Sequence, residues 1–108
     1  MIRQSPLAVA ALIEIAEYIS ARNSAAAVRF LDAFEATLIR LHEMPRMGHR
    51  FESARPALGE VRIWSVKGFS NCLVFYRRVK RDIEIIHVRH GARDIDAVIT
   101  KAIESGDL

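Results

Sequence analysis

The sequence predicts an α+β fold: an N-terminal αα-hairpin packed on a small antiparallel sheet of three to four strands, followed by a short C-terminal helix or tail. Three observations carry that expectation. Apolar residues recur at helical spacing through the first 41 positions. Pro45, Gly48, Pro56 and Gly59 then punctuate a polar stretch. Beyond it, three runs rich in β-branched and aromatic residues follow one another, separated by short polar links.

Ser5-Pro6 reads as an N-cap followed by proline at the first helical position. Ala8, Leu12, Ile15 and Ile19 form one stripe, and Glu14 and Glu17 fall elsewhere. The first helix is expected from about Pro6 to Ala21. Asn23-Ser24 interrupts the pattern and can cap a second helix. Its stripe is Ala27, Phe30, Leu31, Phe34, Leu38 and Leu41. Pro45 disfavours helical geometry at the residue before it, so this helix should end just short of there. From Pro45 to Gly59 the expectation is a loop, carrying Arg46, His49, Arg50 and Arg55.

Val61 to Val66 reads as a strand, and Lys67-Gly68-Phe69-Ser70 as a turn. Asn71 to Val79 and Ile83 to His90 read as two further strands. Lys80-Arg81 between them is a short hairpin link without the favoured Asn-Gly chemistry. A two-residue link pairs positions that sum to 161. One face then holds Leu73, Phe75, Ile86 and Val88, with Arg77 opposite Glu84. The other holds Cys72, Val74, Tyr76, Arg78, Ile83, Ile85, His87 and Arg89. The first is cleaner, and the helices are expected to cover it. Asp94 can cap a final short helix through Ala97, Val98 and Ala102.

With 108 residues, the expectation is a single domain over residues 1–108. A hydrophobic fraction of 51% and a charged fraction of 27% argue against wholesale disorder. Cys72 stands alone, so no intramolecular disulfide framework exists, which suits a reducing compartment. Glu14 and Glu17 cut short the apolar stretch from Leu7 to Ile13, so it is a poor signal peptide. No run approaches the ~18 apolar residues of a membrane helix. A cytoplasmic protein without a membrane partner is expected.

The net charge of +3 is unevenly spread. Residues 1–45 carry four Lys and Arg against five Asp and Glu; residues 46–93 carry eleven against four; residues 94–108 carry one against four. The central segment, at +7, is fit for an acidic partner, either nucleic acid or an acidic protein segment.

Chemical motifs are sparse. His42, His49, His87 and His90 have no Cys or acidic neighbour at ligand spacing, so no metal is expected, nor any cofactor. Ser65 and Ser70 lack a nucleophile elbow, and there is no glycine-rich phosphate loop. RNA cleavage is the enzymatic option. His87 or His90 would serve as acid or base, Arg62, Arg78, Arg89 and Arg93 as phosphate-stabilising cations, and Trp64 or Tyr76 as a stacking platform. The plainer alternative makes the histidines ordinary strand residues and the two aromatics packing groups. Arg93-Asp94 can equally be a local salt bridge or cap.

Two stretches resemble the ParE/RelE toxin family. The first is Tyr18-Ile19-Ser20, Asn23, Ala26-Ala27-Val28-Arg29-Phe30, then Pro45 and Gly48. The second is Arg62, Val66-Lys67-Gly68-Phe69, Leu73-Val74-Phe75-Tyr76-Arg77, Glu84-Ile85-Ile86-His87-Val88 and His90-Gly91-Ala92-Arg93-Asp94. Together they run from about Ser5 to Asp94. The family usually opens with a full strand before its Ser-Pro. Here only Met1 to Gln4 precede it, so that strand should be stunted or missing.

The resemblance implies the toxin of a type II toxin–antitoxin pair. RelE-like members cut messenger RNA on the ribosome, whereas ParE-like members are described as DNA gyrase inhibitors without catalysis. The ending His90-Gly91-Ala92-Arg93-Asp94 looks like the ParE branch. RelE-like members place a tyrosine a few residues past the matching arginine; this chain continues Asp94-Ile95-Asp96-Ala97, whose acids would repel RNA phosphate. The resemblance thus implies gyrase as target and a cognate ParD-like antitoxin as partner. The alternatives are a RelE-like endoribonuclease using His87, His90, Arg62 and Arg93, or a non-toxic binding module. Arg62, Trp64, Tyr76, Arg78, His87, Arg89 and Arg93 are the candidate residues for binding antitoxin or target.

Overall fold

A computed structural model describes residues 1–51 and 59–91. Two helices and a five-stranded mixed sheet make up an α+β fold. In chain order the elements are β1 (Ile2–Gln4), α1 (Pro6–Arg22), α2 (Ser24–Glu43), β2 (His49–Phe51), β3 (Val61–Val66), β4 (Phe69–Val79) and β5 (Asp82–His90). The sheet order is β1-β5-β4-β3-β2. The expected final helix and Arg93 lie outside the described residues.

The helix signals act as read. The Ser5 hydroxyl accepts from the Ala8 N–H at 3.0 Å and donates to the Ile86 carbonyl at 2.6 Å, so the cap also anchors α1 to β5. Asn23 closes α1 with its own N–H, which donates to the Ile19 carbonyl, and caps α2 through Oδ1, which accepts from Ala26 N–H. One residue thus ends one helix and starts the next. In the α2 stripe, Ala27, Phe30, Phe34, Leu38 and Leu41 are buried, but Leu31 is exposed. By spacing it shares the stripe, seven residues before buried Leu38, so helical phase does not account for its exposure.

The sheet departs from expectation in four ways. It has five strands rather than three to four. It is mixed, because the stunted β1 pairs in parallel with β5, Ile2 beside Ile83 and Gln4 beside Ile85. The expected loop holds a short strand, β2, whose His49–Phe51 pairs with Val61–Ile63. The β4–β5 register sums to 161 only near the turn, from Val79–Asp82 to Tyr76–Ile85; a bulge then shifts it, pairing Phe75 with His87 and Cys72 with His90.

The face that the helices cover is also the other one, and the bulge moves Val88 onto it. Cys72, Val74, Tyr76, Ile83, Ile85 and Val88 join Ala8, Ile15, Phe30, Phe34, Leu38 and Leu41 in the main core. Phe75 and Ile86 join Val61 in a second cluster, with Phe51, Ile63 and Leu73 against it. The helices therefore sit on the face expected to be open. The extra residue at the bulge reverses the alternation, bringing Val88 to the helix side while Ile86 stays on the other. Burying Phe30 or Ile85 fully is worth about 1.5–3 kcal/mol each.

The link Lys80-Arg81 places Lys80 at φ +58, a left-handed conformation that costs a non-glycine residue about 1–2 kcal/mol. It is the only positive-φ residue other than glycine among those described.

Candidate partner-binding surface

The basic segment is organised by a latch. Tyr76 is buried in the core from mid-β4, and its hydroxyl emerges under the turn after α2. There it donates to the Pro45 carbonyl at 2.8 Å and accepts from the Gly48 N–H at 2.9 Å. Arg62 lies opposite Tyr76 on β3. Its Nη1 donates to the Gly48 carbonyl at 2.6 Å and to the Arg46 carbonyl at 3.3 Å. Its Nη2 meets Glu60 at 2.7 Å, which also meets Arg50 at 3.3 Å. A Cβ on residue 48 would lie 2.6 Å from the Tyr76 hydroxyl and 2.9 Å from the Ile63 carbonyl, so only glycine fits. Burial pushes the Tyr76 phenol up, opposed by the Gly48 hydrogen bond and Arg62.

Two of the sequence-predicted candidates, Tyr76 and Arg62, thus sit together and hold the 45–48 turn. Trp64 is half-buried against the main core, and its indole faces His49 at 6.0 Å between ring centroids. Arg78 is exposed, its Nε donating to the Lys80 carbonyl at 3.0 Å. Arg77 forms a cross-strand ion pair with Glu84 at 2.8 Å, as the pairing predicted.

His87 and His90 do not converge. His87 is 4% exposed and lies edge-on to Phe75, ring centroids 6.4 Å apart. Neither ring nitrogen has a hydrogen-bond partner, and the Arg89 Nε also lacks one. Burial, aided by the Arg89 charge, depresses the His87 pKa to about 4, so the ring is neutral at pH 7. His90 is exposed and faces Tyr18 of α1 at 6.0 Å, with the Arg22 guanidinium 3.9 Å over the Tyr18 ring. Cys72, opposite His90, is buried, and desolvation raises its thiol to about 12, that of an inert core group. Among the described residues no three His, Cys, Asp or Glu side chains are grouped to share a metal ion.

Sequence reading missed a second feature, a cleft of about 390 Å³ between α1 and β5. Ala11, Glu14, Ile15 and Tyr18 form one wall, and His87, Val88, Arg89 and His90 the other. The helical wall was readable, since Ala11, Glu14, Ile15 and Tyr18 share one face. The strand wall depends on β1 pairing beside β5 and stopping at Ser5-Pro6; the sequence marks that stop but not the pairing.

The fold is a two-helix layer on a mixed sheet, a small α+β architecture. The chain belongs to the ParE toxin family: the family model for the ParE toxin of the type II toxin–antitoxin system parDE matches residues 2–95. Among solved structures, a chain of the chromosomal ParDE toxin–antitoxin system from P. aeruginosa is similar, with a TM-score of 0.67 at 15% identity. The match covers 84% of this chain and 95% of that one. At that identity the likeness concerns the fold. No curated protein matches. No helix among the described residues is long and apolar enough to cross a membrane.

Proposed function

We propose that this chain is the toxin of a type II toxin–antitoxin pair, a single domain acting in the cytoplasm by binding DNA gyrase, and that a cognate ParD-like antitoxin neutralises it. Family membership supports the toxin assignment. The observation favouring binding over catalysis is the state of His87. Only 4% exposed and neutral at pH 7, the His87 ring has no proton to give as a general acid and little access for a ribose hydroxyl. Arg62 is committed to the Gly48 and Arg46 carbonyls and to Glu60. Of the ribonuclease constellation, His87 and His90 share the α1–β5 cleft, Arg62 is held elsewhere at the 46–48 turn, and Arg93 lies outside the described residues.

Of the candidate contact residues, Arg78 and Arg89 are the proposed cations for an acidic partner, and Trp64 a flanking aromatic. Tyr76 and Arg62 adjoin Arg78 and hold the turn beside it, whereas Arg89 lies at the far end of the β4–β5 hairpin in the α1–β5 cleft. The test is DNA supercoiling by purified gyrase with added toxin, with and without the protein encoded by the adjacent gene. Inhibition relieved by that protein is expected. Undisturbed supercoiling together with RNA cleavage in a translation extract would overturn the gyrase reading in favour of an endoribonuclease. Silence in both assays, with growth unaffected by expression, would favour a non-toxic binding module.

A further inference from the structure

Four consecutive residues of β5, His87 to His90, line the α1–β5 cleft. Side chains alternate between faces, so a strand can present four residues in a row only along its edge. The structure gives that edge. β1 pairs with β5 only from Ile83 to Ile85. At Ser5 the chain turns into α1: the Ser5 N–H still donates to the Ile85 carbonyl, but the Ser5 carbonyl accepts from Val9 within the helix. Beyond that point no described strand covers the outer side of β5.

The direction of the free groups follows from one hydrogen bond. Gly91 N–H donates to the Asn71 carbonyl of the β4 side at 2.8 Å. In an antiparallel ladder the N–H and C=O of one residue point the same way, and alternate residues point oppositely. Arg89 and His87 therefore face β4, and the N–H and C=O groups of Val88 and His90 face the cleft. An open edge of this kind is a template for an extended strand.

We propose that the α1–β5 cleft receives an extended segment of a partner protein, which adds to the sheet as a strand beside Val88 and His90. The inference rests on the antitoxin reading and names where and in what conformation that partner binds. The guest segment carries acidic residues toward Arg89, His90 and Arg22, and an apolar residue toward Ala11, Ile15 and Tyr18, whose ring is 51% exposed. Glu14 on the helical wall selects against an acid at the middle of the cleft.

The experiment is amide hydrogen exchange on the full chain, alone and in complex with the adjacent-gene protein. Paired with it are the affinities of two variants. Val88 and His90 amides should exchange readily in the free chain and slow at least tenfold in the complex. His90→Pro removes an outward N–H at an exposed edge position, where proline is tolerated, together with the imidazole; His90→Ala, which removes the imidazole alone, is the reference against which its affinity is read. Against that reference the proline variant should weaken binding at least tenfold while the melting temperature stays within a few degrees. Tyr18→Ala should weaken binding through the apolar wall instead. Amides that are already slow in the free chain would mean that the chain covers its own edge, overturning the inference. A tight complex with unchanged Val88 and His90 exchange, and wild-type affinity for both variants, would overturn it alone. Failure of the wild-type chain to bind the adjacent-gene protein would overturn the antitoxin reading, and this inference with it.

Discussion

Removing one oxygen atom, in Tyr76→Phe, isolates the latch that fixes the turn after α2. The ring is 1% exposed and packed in the main core, so phenylalanine fills the same space. What is lost is a pair of hydrogen bonds, to the Pro45 carbonyl at 2.8 Å and from the Gly48 N–H at 2.9 Å. Gly48 is buried, so its N–H finds no ready water. Each lost bond is worth about 1 kcal/mol, and leaving a buried donor unsatisfied adds to that, giving about 2–3 kcal/mol in all. For a chain of this size that lowers the melting temperature by roughly 8–12 °C. Thermal unfolding followed by circular dichroism, wild type against variant at pH 7, measures it. The native spectrum should be unchanged below the transition. A melting temperature within 1 °C of wild type would refute the reasoning, because it would mean the hydroxyl bonds are replaced by water without loss.

Four further outcomes follow from the same geometry. Gly48→Ala forces a methyl within 3 Å of the Tyr76 ring and of the Ile63 carbonyl, and should destabilise by about 1–3 kcal/mol in denaturant titration; a neutral result would show that the turn can shift. His87 is held near a pKa of about 4 by burial and by Arg89, with Glu14 on the facing helix lining the same cleft. The unfolded chain protonates first, so stability present above pH 6.5 should drain away as pH falls toward 4. The loss is at most about 3 kcal/mol, and about 1–2 kcal/mol after solvent screening. His87→Leu should flatten that dependence between pH 7 and 4.5, and an equal slope in both proteins would assign it elsewhere. Cys72 should resist alkylation at pH 8 until the chain unfolds, at least a hundredfold slower than in denaturant; comparable rates would mean the strand opens locally. Arg78→Glu with Arg89→Glu should weaken the antitoxin complex about tenfold or more at low salt and less at high salt, and unchanged affinity would remove these cations from the interface.

The helix boundaries were legible because their signals are local, though Leu31 of the expected stripe is exposed. Ser5-Pro6, Asn23 and Pro45 act on their own backbone within one turn, so α1 and α2 begin and end within a residue or two of where those positions put them. Strand β3 was equally plain, bounded by Gly59 and by Lys67-Gly68. The hairpin of β4 and β5 was read with the right partners near its turn, since a two-residue link leaves little choice of register there.

What the sequence could not carry is decided by contacts between distant segments. The bulge opposite Phe75 has no local signature, yet it moves Val88 to the helices and isolates His87 beside Phe75. The helix-covered face was misjudged because Tyr76, Arg78 and His87 made it look polar. The Tyr76 hydroxyl is in fact satisfied by a turn 28 to 31 residues earlier, and that pairing exists only once the chain has folded. The candidate site follows the same division. Composition placed positive charge in the second half, because charge is additive along the chain. Which cations face solvent, which staple a turn, and which strand β1 pairs with to leave an open edge beside α1 are set by packing. A side chain's chemistry is fixed by its type, but its availability depends on what the rest of the chain lays over it.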